Sequence, residues 1–224
     1  MTPMQKQRLD AIRGLRPVNA AEAPRRQITD VTEGGYIELA SQTWGLNSQV
    51  WQVKRINRYL DVRWKNFAKR AKDYWVHELE LFSLNDGKTL FIEWEIDDHL
   101  EISITKKEIP MREIHYKGKA IKFSDLLEIA EEEEGEVVVN DGSLDAHVTF
   151  AYSEDETWAA RYYSGSSDSD GDNVRFFEFE SADNQEALTI EAWETHPEDK
   201  PEREAFISRS MPASDITVLQ AGPV

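Results

Sequence analysis

Glutamate dominates the residues whose type and spacing suggest chemistry. In the stretch "WVHELELFSLNDGKTLFIEWEIDDHLEISITK", Trp75 to Lys106, acids alternate with large apolar residues in three successive runs. Placing Asp86-Gly87 in a two-residue turn pairs Phe82 with Phe91, Glu80 with Glu93, Leu79 with Trp94 and Glu78 with Glu95. If "DDH" makes the next turn, Glu95 faces Glu101 and Trp94 faces Ile102. One face of the three strands is then Leu79, Leu81, Leu90, Ile92, Trp94, Leu100, Ile102 and Ile104, a core face. The other stacks Glu78, Glu80, Glu93, Glu95 and Glu101 side by side, and these five are the candidate ligand-binding residues.

Like charges opposed across strands cost a few tenths to about 1 kcal/mol per pair, so the stack calls for an offset. Three arrangements supply one: a basic segment laid over the face, a bound cation or polyamine, or open exposure to water. Paired carboxylates also suit general acid and base work, but no nucleophile, histidine or cofactor loop converges on them in the sequence. An enzyme is therefore the less favoured reading, and no catalytic residue and no cofactor are assigned.

A second acidic stretch, "SGSSDSDGDN" from Ser164 to Asn173, spaces Asp168, Asp170 and Asp172 at every second position, as a calcium loop does. An EF-hand loop needs glycine at position 6 and a bidentate acid at position 12. Starting at Ser166 puts Gly171 at 6 but Phe177 at 12; starting at Asp168 puts Asn173 at 6 and Phe179 at 12. Neither register completes a tight site, so the stretch reads as a mobile hairpin loop with no bound ion in the ordinary folded state, any calcium binding by its three aspartates being millimolar or weaker.

The five histidines, His77, His99, His115, His147 and His196, lack the short mutual spacing of zinc sites, and there is no cysteine to add a thiolate. Neither a G-x-S-x-G elbow nor a phosphate-cradling glycine loop occurs, which leaves serine hydrolases and nucleotide binding by those loops without a foothold.

The elements that must hold the glutamates are mostly strands. Alternation recurs in "EVVV", "AHVTFAY", "WAARYYS", "NVRFFEFES", "ALTIEAW", "AFISRS" and "DITVLQ", with turn-rich stretches such as "NDGS", "SEDE" and "SADNQ" between several of them. One helix is expected over 124–133, capped by Ser124, with Leu126, Leu127 and Ile129 inward and Gly135 at its end. A second short helix, Met4 to Leu15, belongs to an N-terminal arm spanning 1–30. The fold class predicted is mainly β: an antiparallel sandwich or partly closed barrel of about ten strands with one or two short helices. Residues 31–224 form it as one domain, or as two β subdomains meeting near 110–135.

Charge bounds the partners. The chain of 224 residues carries a formal charge of −17, yet Lys54 to Lys72 alone is +7, leaving −24 on the remainder. An acidic surface repels nucleic acid and anionic membranes, and favours cationic partners. Neither a secretory leader nor an apolar run of about eighteen residues is present, so no membrane span and a cytoplasmic location are expected. The basic segment pairs with the protein's own carboxylates or marks a site for an acidic partner.

The stretch "YWVHELELFSLNDGKTLFIEWEIDD", with Tyr116-x-Gly118, the Glu134-Gly135-Glu136 element and strand-rich sequence to the C-terminus, resembles the bacterial family called domain of unknown function 4178, over roughly Trp44 to Leu219. The resemblance implies an accessory role in an envelope-stress or polyamine-related setting, and no residue roles. The resulting expectation is a non-enzymatic binding or scaffold protein with a protein partner and a cation or polyamine as small ligand. The alternatives are a carboxylate-dependent enzyme acting on a cationic or sugar substrate, and an acidic mimic of nucleic acid seated in a basic protein groove.

Overall fold

The computed structural model describes residues 26–41, 45–140, 148–153, 157–166, 171–194 and 201–223. The expected arm lies mostly outside them, as do Met4 to Leu15. The fold is mainly β, built around a closed antiparallel barrel of eight strands, with further strands and one helix.

Two meanders make the barrel. The first is β2 (Leu46–Val62), β3 (Trp75–Ser83), β4 (Thr89–Ile96) and β5 (Leu100–Glu108); the second is β10 (Trp158–Tyr163), β11 (Asp172–Ser181), β12 (Ala187–Glu194) and β13 (Glu202–Ser210). β5 pairs with β13 at one seam, and β10 pairs with β2 at the other, which closes the ring. Closure removes every edge from these eight strands.

β2 and β11 are long enough to serve the barrel and an outer layer at once. β2 runs 17 residues, and its first part pairs with β1 (Tyr36–Ser41), which in turn pairs with β14 (Ile216–Gln220). Within β2, Val53 faces Leu81 and Arg55 faces Glu80, so Lys54 is an extra residue, and this bulge bends the strand between its two roles. β11 likewise pairs β10 with its first half and β9 (Val148–Tyr152) with its second. β8 (Glu136–Val139), β6 (Ile114–Tyr116) and β7 (Lys119–Ala120) follow β9 in order, and α1 (Phe123–Glu132) lies between β7 and β8 in the chain.

Both outer layers cover apolar barrel wall. Ile37 and Leu39 of β1 join Trp51, Val53, Leu79, Leu81, Ile92, Ile102 and Ile104 in one buried cluster. Leu126 and Ile129 of α1, with Ile114, Val137, Val139 and Phe150, join Phe177, Phe179, Leu188, Ile190 and Ile207 in another. The two largest apolar clusters therefore lie outside the barrel, between its wall and the two layers, while a third, Tyr59, Val76, Ala160, Val174 and Phe176, fills part of its inside.

The strand expectations hold for β3 to β5 and for β8 to β14, and three details are corrected. The first hairpin pairs Phe82 with Thr89, Leu81 with Leu90, Glu80 with Phe91, Leu79 with Ile92, Glu78 with Glu93 and His77 with Trp94. That is two residues away from the expected register, although Glu95 does face Glu101 and Trp94 does face Ile102. A two-residue turn of the expected type needs positive φ at both centres, but of Asp86 and Gly87 only Gly87 has it. Instead the hydroxyl of Ser83 accepts the backbone N–H groups of Asn85 and Asp86, at 3.2 Å each, and a longer loop results. Second, α1 begins one residue before Ser124: Lys122 is its N-cap, whose N–H donates to Asp125 at 2.8 Å. Third, Leu127 faces solvent, since only Leu126 and Ile129 fall on the buried stripe.

Candidate functional site: the lumen of the barrel

Because side chains alternate along a strand, the residues between the outward apolar ones face the lumen. From β2 these are Asn57, Tyr59 and Asp61; from β3, Val76, Glu78 and Glu80; from β4, Phe91, Glu93 and Glu95; from β5, Glu101, Ser103 and Thr105. The second meander adds Trp158 and Tyr162 from β10, Phe176 and Glu178 from β11, Thr189, Glu191 and Trp193 from β12, and Glu204, Phe206 and Ser208 from β13. The space they enclose has a wide end of about 1050 Å³ and a narrow end of about 220 Å³. Glu93, Thr189 and Ser208 line both, and so mark mid-barrel.

All five glutamates expected to share a face do so, and that face looks into the lumen. Glu80 stands at the narrow end with Arg55, 3.9 Å away; Glu95 and Glu101 stand at the wide end; Glu78 and Glu93 are directly paired between them. The anticipated basic cover does not form. The segment from Lys54 to Lys72 begins as β2 itself, whose inward positions carry Arg55, Asn57, Tyr59 and Asp61, while Arg58 stacks outside against Trp75 and Tyr163. Arg70 pairs with Asp61 at 2.6 Å, and Lys69 with Asp73 at 3.0 Å. The sequence reading missed Glu191 and Glu204, which pair across β12 and β13 on the same inner face. The signal was present: in "ALTIEAW", Leu188, Ile190 and Ala192 alternate with Thr189, Glu191 and Trp193.

These carboxylates are unevenly hydrogen-bonded. Glu78 accepts the Asn57 side-chain amide at 2.6 Å and a hydrogen bond from the Tyr59 hydroxyl, and Asn57 Oδ1 in turn accepts the N–H of Gly165 at 3.2 Å. Tyr74 donates its hydroxyl to Glu95 at 2.8 Å, and Thr189 donates to Glu178 at 2.7 Å. Glu93 has a long bond from Ser103, 3.5 Å. Glu191 is 5% exposed, and among the described residues it has neither a hydrogen-bond donor nor an ion-pair partner.

Burial raises the proton affinity of the group. The carboxyl of Glu93 lines the cavity in mid-barrel; its burial there, reinforced by the charges of Glu78 and Glu95, pushes its pKa up to about 8. Glu191 is pushed well above the usual carboxylate range by burial, then by Glu93, Glu78, Glu204 and Glu178. Burial also raises Glu78 and Glu95, against the downward pull of their Asn57 and Tyr74 hydrogen bonds.

One side of the lumen is aromatic. Tyr59 lies 5.1 Å from Tyr162 and 5.2 Å from Phe176, Trp158 stacks on Phe176 at 4.5 Å, and Tyr162 meets Trp193 edge-on at 5.1 Å. The arginines that line the lumen are spoken for: Arg55 by Glu80, Arg70 by Asp61, and Arg209 by Glu186 at 2.6 Å. Carboxylates facing aromatic rings across a hollow can hold an organic cation by charge, N–H···O bonds and ring contact together.

The remaining candidates fall elsewhere. Asp172 opens β11 as an exposed residue opposite Tyr162, whereas Asp168 and Asp170 lie outside the described residues. His77 stacks on Trp94 at 3.9 Å, on the side of β3 away from the lumen, His99 pairs with Glu101 at 3.0 Å, and His115 meets Asn140 at 2.8 Å. His147 and His196 are outside the described residues, among which no three metal-ligating side chains converge on one point. No helix among them is long and apolar enough to cross a membrane. No family model, curated protein or solved structure matches the chain.

Proposed function

We propose that this protein is a binding protein, not an enzyme, and that it holds a small organic cation, an amine or polyamine, inside its barrel. The observation that carries the reading is the hollow itself. An eight-stranded barrel is just wide enough to be filled by its own side chains or to hold one small ligand. Here two apolar clusters pack on the outside, a third lines one side of the inside, and an acid-lined space of about 1050 Å³ opens at the wide end. Pockets of 300 to 1,000 Å³ are the usual size for small-molecule sites. The stacked glutamates provide the charge that a cation would meet there.

Titration calorimetry of the full chain with spermidine, a linear triamine, tests the proposal. A saturable isotherm is expected, lost when Glu78 and Glu93 are both replaced by glutamine in a variant that still unfolds cooperatively. Absence of saturable binding by the wild-type chain at low ionic strength, where surface screening is least, would refute it.

A further inference from the structure

We infer that the narrow end of the lumen seats the ammonium head of a protonated primary or secondary amine, with Glu191 as its anchoring acceptor and the rest of the molecule extending toward the wide end. This deepens the binding role proposed above and rests on it. A row of acids would not by itself make a site, and the second observation here is independent of the charge count. Glu191 is 95% removed from solvent, faces the narrow chamber, and among the described residues accepts no hydrogen bond. Its carboxylate oxygens open onto the lumen, so a ligand bearing N–H groups can supply there the donor that the described chain does not.

The surroundings restrict what that donor is. The charges acting on Glu191 are those of acids, Glu78 and Glu93 across the lumen, Glu204 on the neighbouring strand and Glu178 on the other, while the cation lining the narrow chamber, Arg55, is paired with Glu80 at 3.9 Å. A cation is required. A metal ion would need several oxygens gathered at one point, and no such convergence exists among the described residues, because the carboxylates are distributed around the wall. A quaternary ammonium has charge but no N–H to offer. A protonated amine has both, and its methylene groups suit the flanking rings of Tyr59, Tyr162 and Trp193. A volume of about 220 Å³ admits the head and a few methylenes, and the continuous wide chamber receives the rest.

The test titrates the full chain with 1,4-diaminobutane, tetramethylammonium chloride and magnesium chloride at matched ionic strength, with the wild type, Glu191→Gln and Glu93→Gln. The diamine is expected to bind at least about tenfold more tightly than tetramethylammonium, and Glu191→Gln to weaken it by about tenfold or more. Thermal unfolding of Glu191→Gln serves as the folding control, and a midpoint at or above that of the wild type is expected, since the variant relieves a buried acid. Equal affinity for tetramethylammonium or magnesium would overturn the inference. So would a folded Glu191→Gln that binds the diamine as the wild type does; if Glu93→Gln then still weakens it, the lumen reading survives and only the narrow-end seat is wrong. No binding by any of the three cations, nor by spermidine, would overturn both.

Discussion

Glu93 keeps its proton to about pH 8, so the unliganded barrel is proton-loaded under conditions in which a surface glutamate is ionised. The sign of the consequence is fixed by linkage. With the folded-state pKa raised, the folded protein binds the proton more tightly than the unfolded chain, and stability present below the ordinary carboxylate range is lost as pH rises toward 8. The thermal midpoint of the free protein should therefore fall between about pH 5 and pH 8, and Glu93→Gln should flatten that fall, as melting curves at several pH values would reveal. The same protons compete with a cationic ligand. Binding should tighten with pH over this window and release protons, visible as a calorimetric heat that varies with the ionisation heat of the buffer. At the opposite extreme is Asn57, 4% exposed, whose amide donates to Glu78 while its oxygen accepts from Gly165. Asn57→Ala breaks both bonds and should cost about 1–3 kcal/mol in a denaturant titration.

Along a single strand, odd and even positions answer to different forces, and this explains both what the sequence revealed and what it hid. The alternation in β3, β4 and β5 was clear because Leu79, Leu81, Ile92, Ile102 and Ile104 meet an outer layer, so the common face of Glu78, Glu80, Glu93, Glu95 and Glu101 could be read without a structure. The register could not: a slip of two residues leaves every side chain on its own face, and the choice was made by the hydroxyl of Ser83 in the turn. Replacing Ser83 by alanine strands those turn N–H groups and should cost about 1 kcal/mol of stability, measured by chemical denaturation. β2 was hidden because the Lys54 bulge shifts its parity midway and because its outward Arg58 lies where an apolar residue would have advertised a strand. Glu191 was overlooked as the lone acid of "ALTIEAW", and its company with Glu204, Glu78 and Glu93 arises only when distant strands curve round to meet. On the covered side, Phe177→Ala removes a fully buried ring between the barrel and α1 and should cost about 3–5 kcal/mol.

At the scale of the whole molecule, closure depends on β2 and β11, each shared between the ring and an outer layer. Neither layer can detach without disturbing a barrel strand, and hydrogen exchange should find the slowest amides in these two strands. Burying a ligand should also raise the thermal midpoint in proportion to the logarithm of its concentration, without further slowing the outer strands relative to the ring. The two apolar clusters packed on the outside of the barrel have a consequence for how such a protein can change over generations. Under the proposed binding role, residues that hold the wall and residues that would choose a cargo occupy opposite faces of the same strands, so a substitution at Glu80, Thr105 or Phe206 would alter the contents of the vessel while Leu79, Ile104 and Ile207 go on holding its wall. Selection for a new cargo can therefore act on one set of alternate positions while the other preserves the container.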